Sequence, residues 1–157
     1  MKSLRIVLAD DEFLTRMDLK EMLTELGHQV VGEAPNGLLA LDLVRKLKPD
    51  LAILDVKMPK LDGIKAAKLI TGEKLGMVIL LTAFSEDELI TSALDAGVMG
   101  YLTKPVTEKE LAPALQIAWE RYREIMLLKH KKVQLKERLN KDIRQEKLKN
   151  TSGKLSK

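Results

Sequence analysis

Three short runs in this chain are apolar almost throughout: LRIVLA at residues 4–9, LAILD at 51–55 and MVILLTA at 77–83. A strand with one face in water alternates apolar and polar side chains, because successive residues point to opposite faces. These runs do not alternate, so both faces of each strand must be covered. Parallel sheets sandwiched between helices meet that demand. The segment after the first run, FLTRMDLKEMLTELG, has Phe13, Leu14, Met17, Leu19, Met22, Leu23 and Leu26 at mostly helical spacing.

HQVVGEA and VMGYLTKP read as two shorter strands, and NGLLALDLVRKLK, DGIKAAKLITGEK and EDELITSALDAG as further helices. Punctuation agrees with this division. Gly27 stands where the first helix should stop, and Pro49 ends the second. Asp62 and Gly63 form a turn and a helix start. Ser85 with Glu88, and Thr107 with Glu110, have the spacing of capping boxes. Right-handed crossovers between parallel strands then give an α/β fold. The expected form is a doubly wound, five-stranded parallel sheet of flavodoxin-like order 2-1-3-4-5, with an extended C-terminal helix.

Sheets of this kind carry function at the carboxyl ends of their strands. The first run ends in Asp10 and Asp11, followed by Glu12; the third strand ends in Asp55, the fourth in Thr82, and the fifth leads to Lys104. Adjacent carboxylates raise one another's pKa and destabilise a fold unless positive charge sits among them. If the first and third strands are neighbours, three carboxylates meet in one crevice, faced by a hydroxyl and an ammonium. Such an oxygen-rich site suits Mg²⁺, which takes one or two direct carboxylates and keeps several waters. Masked by such an ion, a carboxylate can attack phosphorus. Phosphoryl transfer asks mainly for positioning and charge neutralisation, which Mg²⁺ and Lys104 supply. Glu12 has a second reading, as a first-turn acid favourable to the helix dipole.

The set ADDE, LDVKMPKLDG, LTA and YLTKP, in this order on these strands, resembles the receiver domain of bacterial two-component response regulators over about residues 4 to 120. The resemblance implies a phosphorylation switch. Asp55 matches the phosphoacceptor that takes its group from a histidine kinase. Asp11 matches the direct Mg²⁺ ligand, beside Asp55 and the backbone carbonyl of Lys57, and Asp10 the ligand acting through water. Thr82 matches the hydroxyl that moves to the phosphoryl group, Tyr101 the aromatic that turns inward behind it, and Lys104 the ammonium that pairs with it. A cis Lys104–Pro105 bond is also implied. Lys57 and Phe84 stand where the family varies and where phosphoryl lifetime is influenced. An aspartyl-phosphate hydrolase shares the nucleophile and Mg²⁺ but carries a second Asp two residues on, where this chain has Lys57. The expectation is a regulatory domain and not an enzyme.

Charge divides the chain. Residues 1–119 carry 14 Lys/Arg against 18 Asp/Glu, a balance of −4, and residues 120–157 carry 13 against 5, a balance of +8. In the basic part Ile125, Leu128, Leu135 and Leu139 alternate as a and d positions of a heptad, with Lys132, Asp142 and Glu146 also in the seam. The expected organisation is a receiver at 1–120, a helical extension and coiled coil at 121–149, and a disordered tail at 150–157. Pro113 lies near the start of the long helix, and a slight bend is its mild consequence. A homodimer is expected through this helix or through the face of helix four, strand five and helix five.

A narrower resemblance, carried by DVKMPKLDGIKAA, LTAFS, DAGVMGYLTKP and LAPALQIAWERYREI, is to receivers of the ANTAR class, whose output is a three-helix RNA-binding antiterminator. No room for three helices remains after residue 149, so that output is expected to be truncated or lost. Direct RNA contact would rest on phosphate pairing by the basic helix. No aromatic follows Tyr122 to stack on bases.

Composition removes several other classes. There is no cysteine, hence no disulfide frame and no thiolate site. No apolar run approaches the roughly 18 residues of a membrane span. No apolar stretch behind a basic start marks a secretory signal. A cytoplasmic location is expected. His28 and His130 lack catalytic partners in the pattern and read as structural or surface residues.

Overall fold

A computed structural model of the chain describes residues 1–83 and 87–155. Ten elements alternate along it: β1 (Arg5–Ala9), α1 (Phe13–Glu25), β2 (Gln29–Ala34), α2 (Gly37–Leu47), β3 (Leu51–Asp55), α3 (Gly63–Gly72), β4 (Met77–Thr82), α4 (Asp87–Asp95), β5 (Gly100–Thr103) and α5 (Glu108–Leu155). The strands form one parallel sheet of order β2-β1-β3-β4-β5. Phe84 and the Ser85 capping box lie outside the described residues.

The unbroken apolar runs become the central strands, with β3 and β4 buried at every position. Val7, Ala9, Ala52, Leu54, Val78 and Leu80 join Ala40, Leu41 and Val44 of α2, Ala66, Ala67 and Ile70 of α3, and Ala93 of α4 in one core cluster. By the two-residue period of a strand, Ile6, Leu8, Ile53, Ile79 and Leu81 point to the opposite face. Leu19 and Leu23 of α1 and Leu111, Leu115 and Ala118 of α5 are buried too. Burying both faces removes a large apolar area from water, at about 25 cal/mol per Å².

Helix α1 buries only Leu19 and Leu23, and leaves Phe13, Leu14 and Met17 exposed. Gly27 follows it at φ 89°, the left-handed geometry its predicted stop requires. Helix α2 begins where Asn36 Oδ1 accepts the Leu39 N–H (2.9 Å), and α3 where Asp62 Oδ1 accepts the Lys65 N–H (2.9 Å). The Thr107 carbonyl accepts the N–H groups of Glu110 and Leu111, which opens α5.

The chain divides into two compact units, Met1–Glu120 and Arg121–Lys157. Helix α5 continues through Pro113 and on to Leu155, so helix occupies most of the stretch expected to be disordered from residue 150. Little in NTSGKL stops a helix except Gly153, and Thr151 Oγ1 donates back to the Lys147 carbonyl (2.9 Å). No helix among the described residues is long and apolar enough to cross a membrane.

Candidate functional site

Strand register assembles the site. Ala9 pairs with Leu54, so the next residues, Asp10 and Asp55, come level at the carboxyl edge. Asp55 pairs with Leu81, and Thr82 with Thr103, while the Lys104 N–H donates to the Thr82 carbonyl (2.8 Å). Residues 45 positions apart in sequence, Asp10 and Asp55, thus share one crevice with Thr82 and Lys104. The β3–α3 connection folds back over β3: Gly63 N–H donates to the Val56 carbonyl (2.9 Å), and a Cβ at Gly63 would stand 2.1 Å from the Asp55 carbonyl oxygen. Only glycine permits that approach.

The carboxylates of Asp10, Asp11 and Asp55 offer oxygens that all lie within 4.8 Å of one another. Asp10 is fully buried and Asp55 nearly so, while Asp11 is exposed. Lys104 Nζ stands 2.6 Å from Asp10 Oδ2 and 3.2 Å from Asp55 Oδ2, with its side chain 17% exposed. The Lys104–Pro105 peptide is cis. Asp10 Oδ1 accepts the Glu12 N–H (2.9 Å), whereas Asp10 Oδ2 has the ion pair but no aligned hydrogen bond. A cavity of about 260 Å³ opens above the group, lined by Asp11, Glu12, Asp55, Lys57, Thr82 and Lys104 among others.

The electrostatics are those of too much negative charge in too little water. Burial pushes the Asp55 carboxyl up to about 6, the neighbouring Asp10 charge adds to the rise, and Lys104 only partly offsets it. Burial works against the Lys104 ammonium, but the Asp10 and Asp55 carboxylates outweigh it and hold its pKa above the ordinary value. Three clustered carboxylates, one with a buried oxygen lacking an aligned donor, fit a hard divalent cation such as Mg²⁺.

Thr82 is buried at the end of β4, and Tyr101 on β5 is 46% exposed. A small apolar cavity lies between them, lined by Val56, Leu80, Leu89, Ile90 and Ala93. Glu12 N-caps α1 without a side-chain cap bond and lines the crevice. His28 is structural: it is buried, and its Nδ1 accepts the Leu4 N–H (3.0 Å). Sequence patterns missed Arg16, whose Nη1 donates to the Asp10 backbone carbonyl. Its distance from the acidic cluster in sequence, plus one helical turn, was the only available signal.

A doubly wound sheet with its acidic crevice at this edge defines a class of signalling domain. Residues 6–116 match the response regulator receiver domain family, and the chain belongs to it. Receivers are regulatory domains that take phosphate from sensor histidine kinases and bind Mg²⁺ at an acidic pocket. The transcriptional regulatory protein PdtaR of Mycobacterium tuberculosis is 48% identical over 135 residues, covering 86% of this chain and 66% of that protein. The chain therefore spans just under two thirds of that relative. Chemotaxis protein CheY of Thermotoga maritima is 33% identical over 112 residues, 71% of this chain and 93% of CheY. The solved receiver domain of the response regulator NarL from Mycobacterium tuberculosis superposes with a TM-score of 0.71 at 35% identity, covering 75% of this chain and 98% of that one.

Proposed function

We propose that this receiver is a cytoplasmic switch in which Asp55 accepts a phosphoryl group from the phosphohistidine of a sensor kinase. The supporting observation is the double ion pair of Lys104 with Asp10 and Asp55 beside the exposed Asp11. In the transfer, an Asp55 carboxylate oxygen forms a bond to phosphorus as the kinase's P–N bond breaks and imidazole departs. Asp11, Asp55 and the Lys57 carbonyl would hold Mg²⁺ directly, with Asp10 acting through water. The ion would supply the positive charge that masks both the carboxylates and the incoming phosphoryl group. Lys104 then exchanges a carboxylate partner for a phosphoryl oxygen.

Phosphorylation places a larger negative charge where Asp55 carried one. Thr82 moves its hydroxyl to that group, and Tyr101 follows into the apolar space behind it. The face of α4, β5 and α5 is thereby rebiased between two packings. In this reading residues 1–120 receive the signal and residues 121–149 form a dimerising arm. The alternative output, RNA-binding antitermination of the ANTAR type, draws support from the likeness to a transcriptional regulatory protein and from the +8 balance of residues 120–157.

Asp55→Asn decides the assignment. With Mg²⁺ and a small acyl phosphate, intact-mass spectrometry should show one phosphoryl adduct on the parent and none on the variant. Equal labelling of the two would place the acceptor elsewhere.

A further inference from the structure

Asp10 is held from several elements at once. Its N–H donates to the Ala34 carbonyl of β2 (3.1 Å), and its two carboxylate oxygens face the Glu12 N–H and Lys104. Its carbonyl oxygen takes its hydrogen bond from a side chain, the Arg16 guanidinium. That carbonyl belongs to the peptide linking Asp10 to Asp11. The plane of this peptide sets the direction in which Asp11 leaves the chain. Asp11 is the exposed member of the trio, so its own packing does little to place it.

We propose that Arg16 is a positioning residue for cation binding, which holds the Asp10–Asp11 peptide and so sets where the Asp11 carboxylate stands. Arg16 is built for this rather than for solvent. Its side chain is only 14% exposed. Its Nε is buried without an aligned acceptor, 3.7 Å from Glu33 Oε1 on β2. Glu33 is in turn held by Lys20 (3.1 Å). The Phe13 ring covers the guanidinium at 5.7 Å, which gives that exposed aromatic a local role. The planar fork reaches the Asp10 carbonyl through Nη1 while its Nε faces Glu33, a fixed geometry that a flexible ammonium reproduces less well.

The sign of one measurement separates positioning from charge. As mere charge, a guanidinium close to a cation site repels Mg²⁺, and its loss should tighten binding. As a positioning group, its loss should weaken binding, on the order of tenfold for a partner of this kind. The inference rests on Asp10 and Asp11 serving as Mg²⁺ ligands, so the experiment carries its own control. Calorimetric titration of the full chain with MgCl₂, well below each variant's unfolding temperature, would compare the parent, Arg16→Met, Arg16→Lys and Asp11→Asn.

Weakened binding in Asp11→Asn and Arg16→Met, with partial recovery in Arg16→Lys, is the expected result. Weakened binding in Asp11→Asn alone, or tighter binding in Arg16→Met, overturns the role of Arg16. Unchanged binding in Asp11→Asn overturns the metal site itself. Should Arg16→Met not fold, Glu33→Gln keeps Arg16 but loosens its outer anchor. That variant should bind Mg²⁺ severalfold more weakly, and parental affinity there also overturns the proposal.

Discussion

The acidic crevice and the helix beyond Arg121 are unfinished in opposite chemical senses. In the crevice, burial first and the neighbouring Asp10 charge second push the Asp55 carboxyl up, and one lysine only partly offsets them. Along residues 121–155 the excess is apolar: Leu128, Leu135 and Leu139 are each 60% or more exposed, with Ile125, Val133 and Ile143 also exposed. Buried charge calls for a counter-ion. Exposed apolar surface calls for another surface. The first unit thus carries an electrostatic imbalance, and the second a row of exposed apolar side chains.

The sharpest way to break this comparison is to remove the crevice's internal cation. Lys104→Met leaves the fully buried Asp10 facing Asp55 without its ammonium. Stranding one partner of a buried pair costs about 3–5 kcal/mol. Urea denaturation without Mg²⁺ should show a loss of that size, and Mg²⁺ should stabilise the variant more than the parent. Equal stabilisation of both proteins would mean that Lys104 and the cation do not offset the same charge.

A pH series tests the imbalance without touching Lys104. The folded pKa of Asp55, about 6, lies above its ordinary 3.8, so between those values the folded state binds more protons than the unfolded state. The associated stability is present below the unfolded pKa and lost as pH rises through the folded one. The loss falls between roughly pH 4 and pH 7 and, with solvent screening, amounts to at most about 3 kcal/mol. Asn does not titrate, so the stability of Asp55→Asn relative to the parent should climb over that range. Mg²⁺ should shrink the climb, because a bound cation favours the carboxylate. Parallel pH curves for the two proteins would remove Asp55 as the strained group.

Much of this was legible from the residue string, and unevenly so. Unbroken apolar runs fixed the parallel sheet because only two-sided burial tolerates them, and the strand tips then marked Asp10, Asp11 and Asp55 as neighbours. Arg16 was not legible, since its partner is a backbone carbonyl and backbone atoms leave no mark in a sequence. Nor was the exposure of Phe13, Leu14 and Met17, because helical spacing says which residues share a stripe and not how wide a stripe the sheet covers. The helix through Leu155 was not legible for a related reason: polar composition argues against a core, but a solvated helix needs none.

The extension offers the smaller effect per residue and the more informative one. If Leu128 and Leu135 pack against a second copy, each buries a side chain worth about 2 kcal/mol. Leu128→Lys with Leu135→Lys should then turn a dimer into a monomer by light scattering, with beryllofluoride and Mg²⁺ present to mimic the phosphorylated state. A parent that is monomeric with and without the mimic would refute the arm as a dimer seam. Salt separates the two readings of the basic helix. Two strands with the +8 balance of residues 120–157 repel one another, so a dimer seam should tighten as salt screens them. Contact with RNA phosphates would do the reverse, weakening steeply with salt as counter-ions compete. Association that strengthens with salt assigns the arm to a second copy of this chain. A gel shift with structured RNA that fades with salt assigns it to nucleic acid.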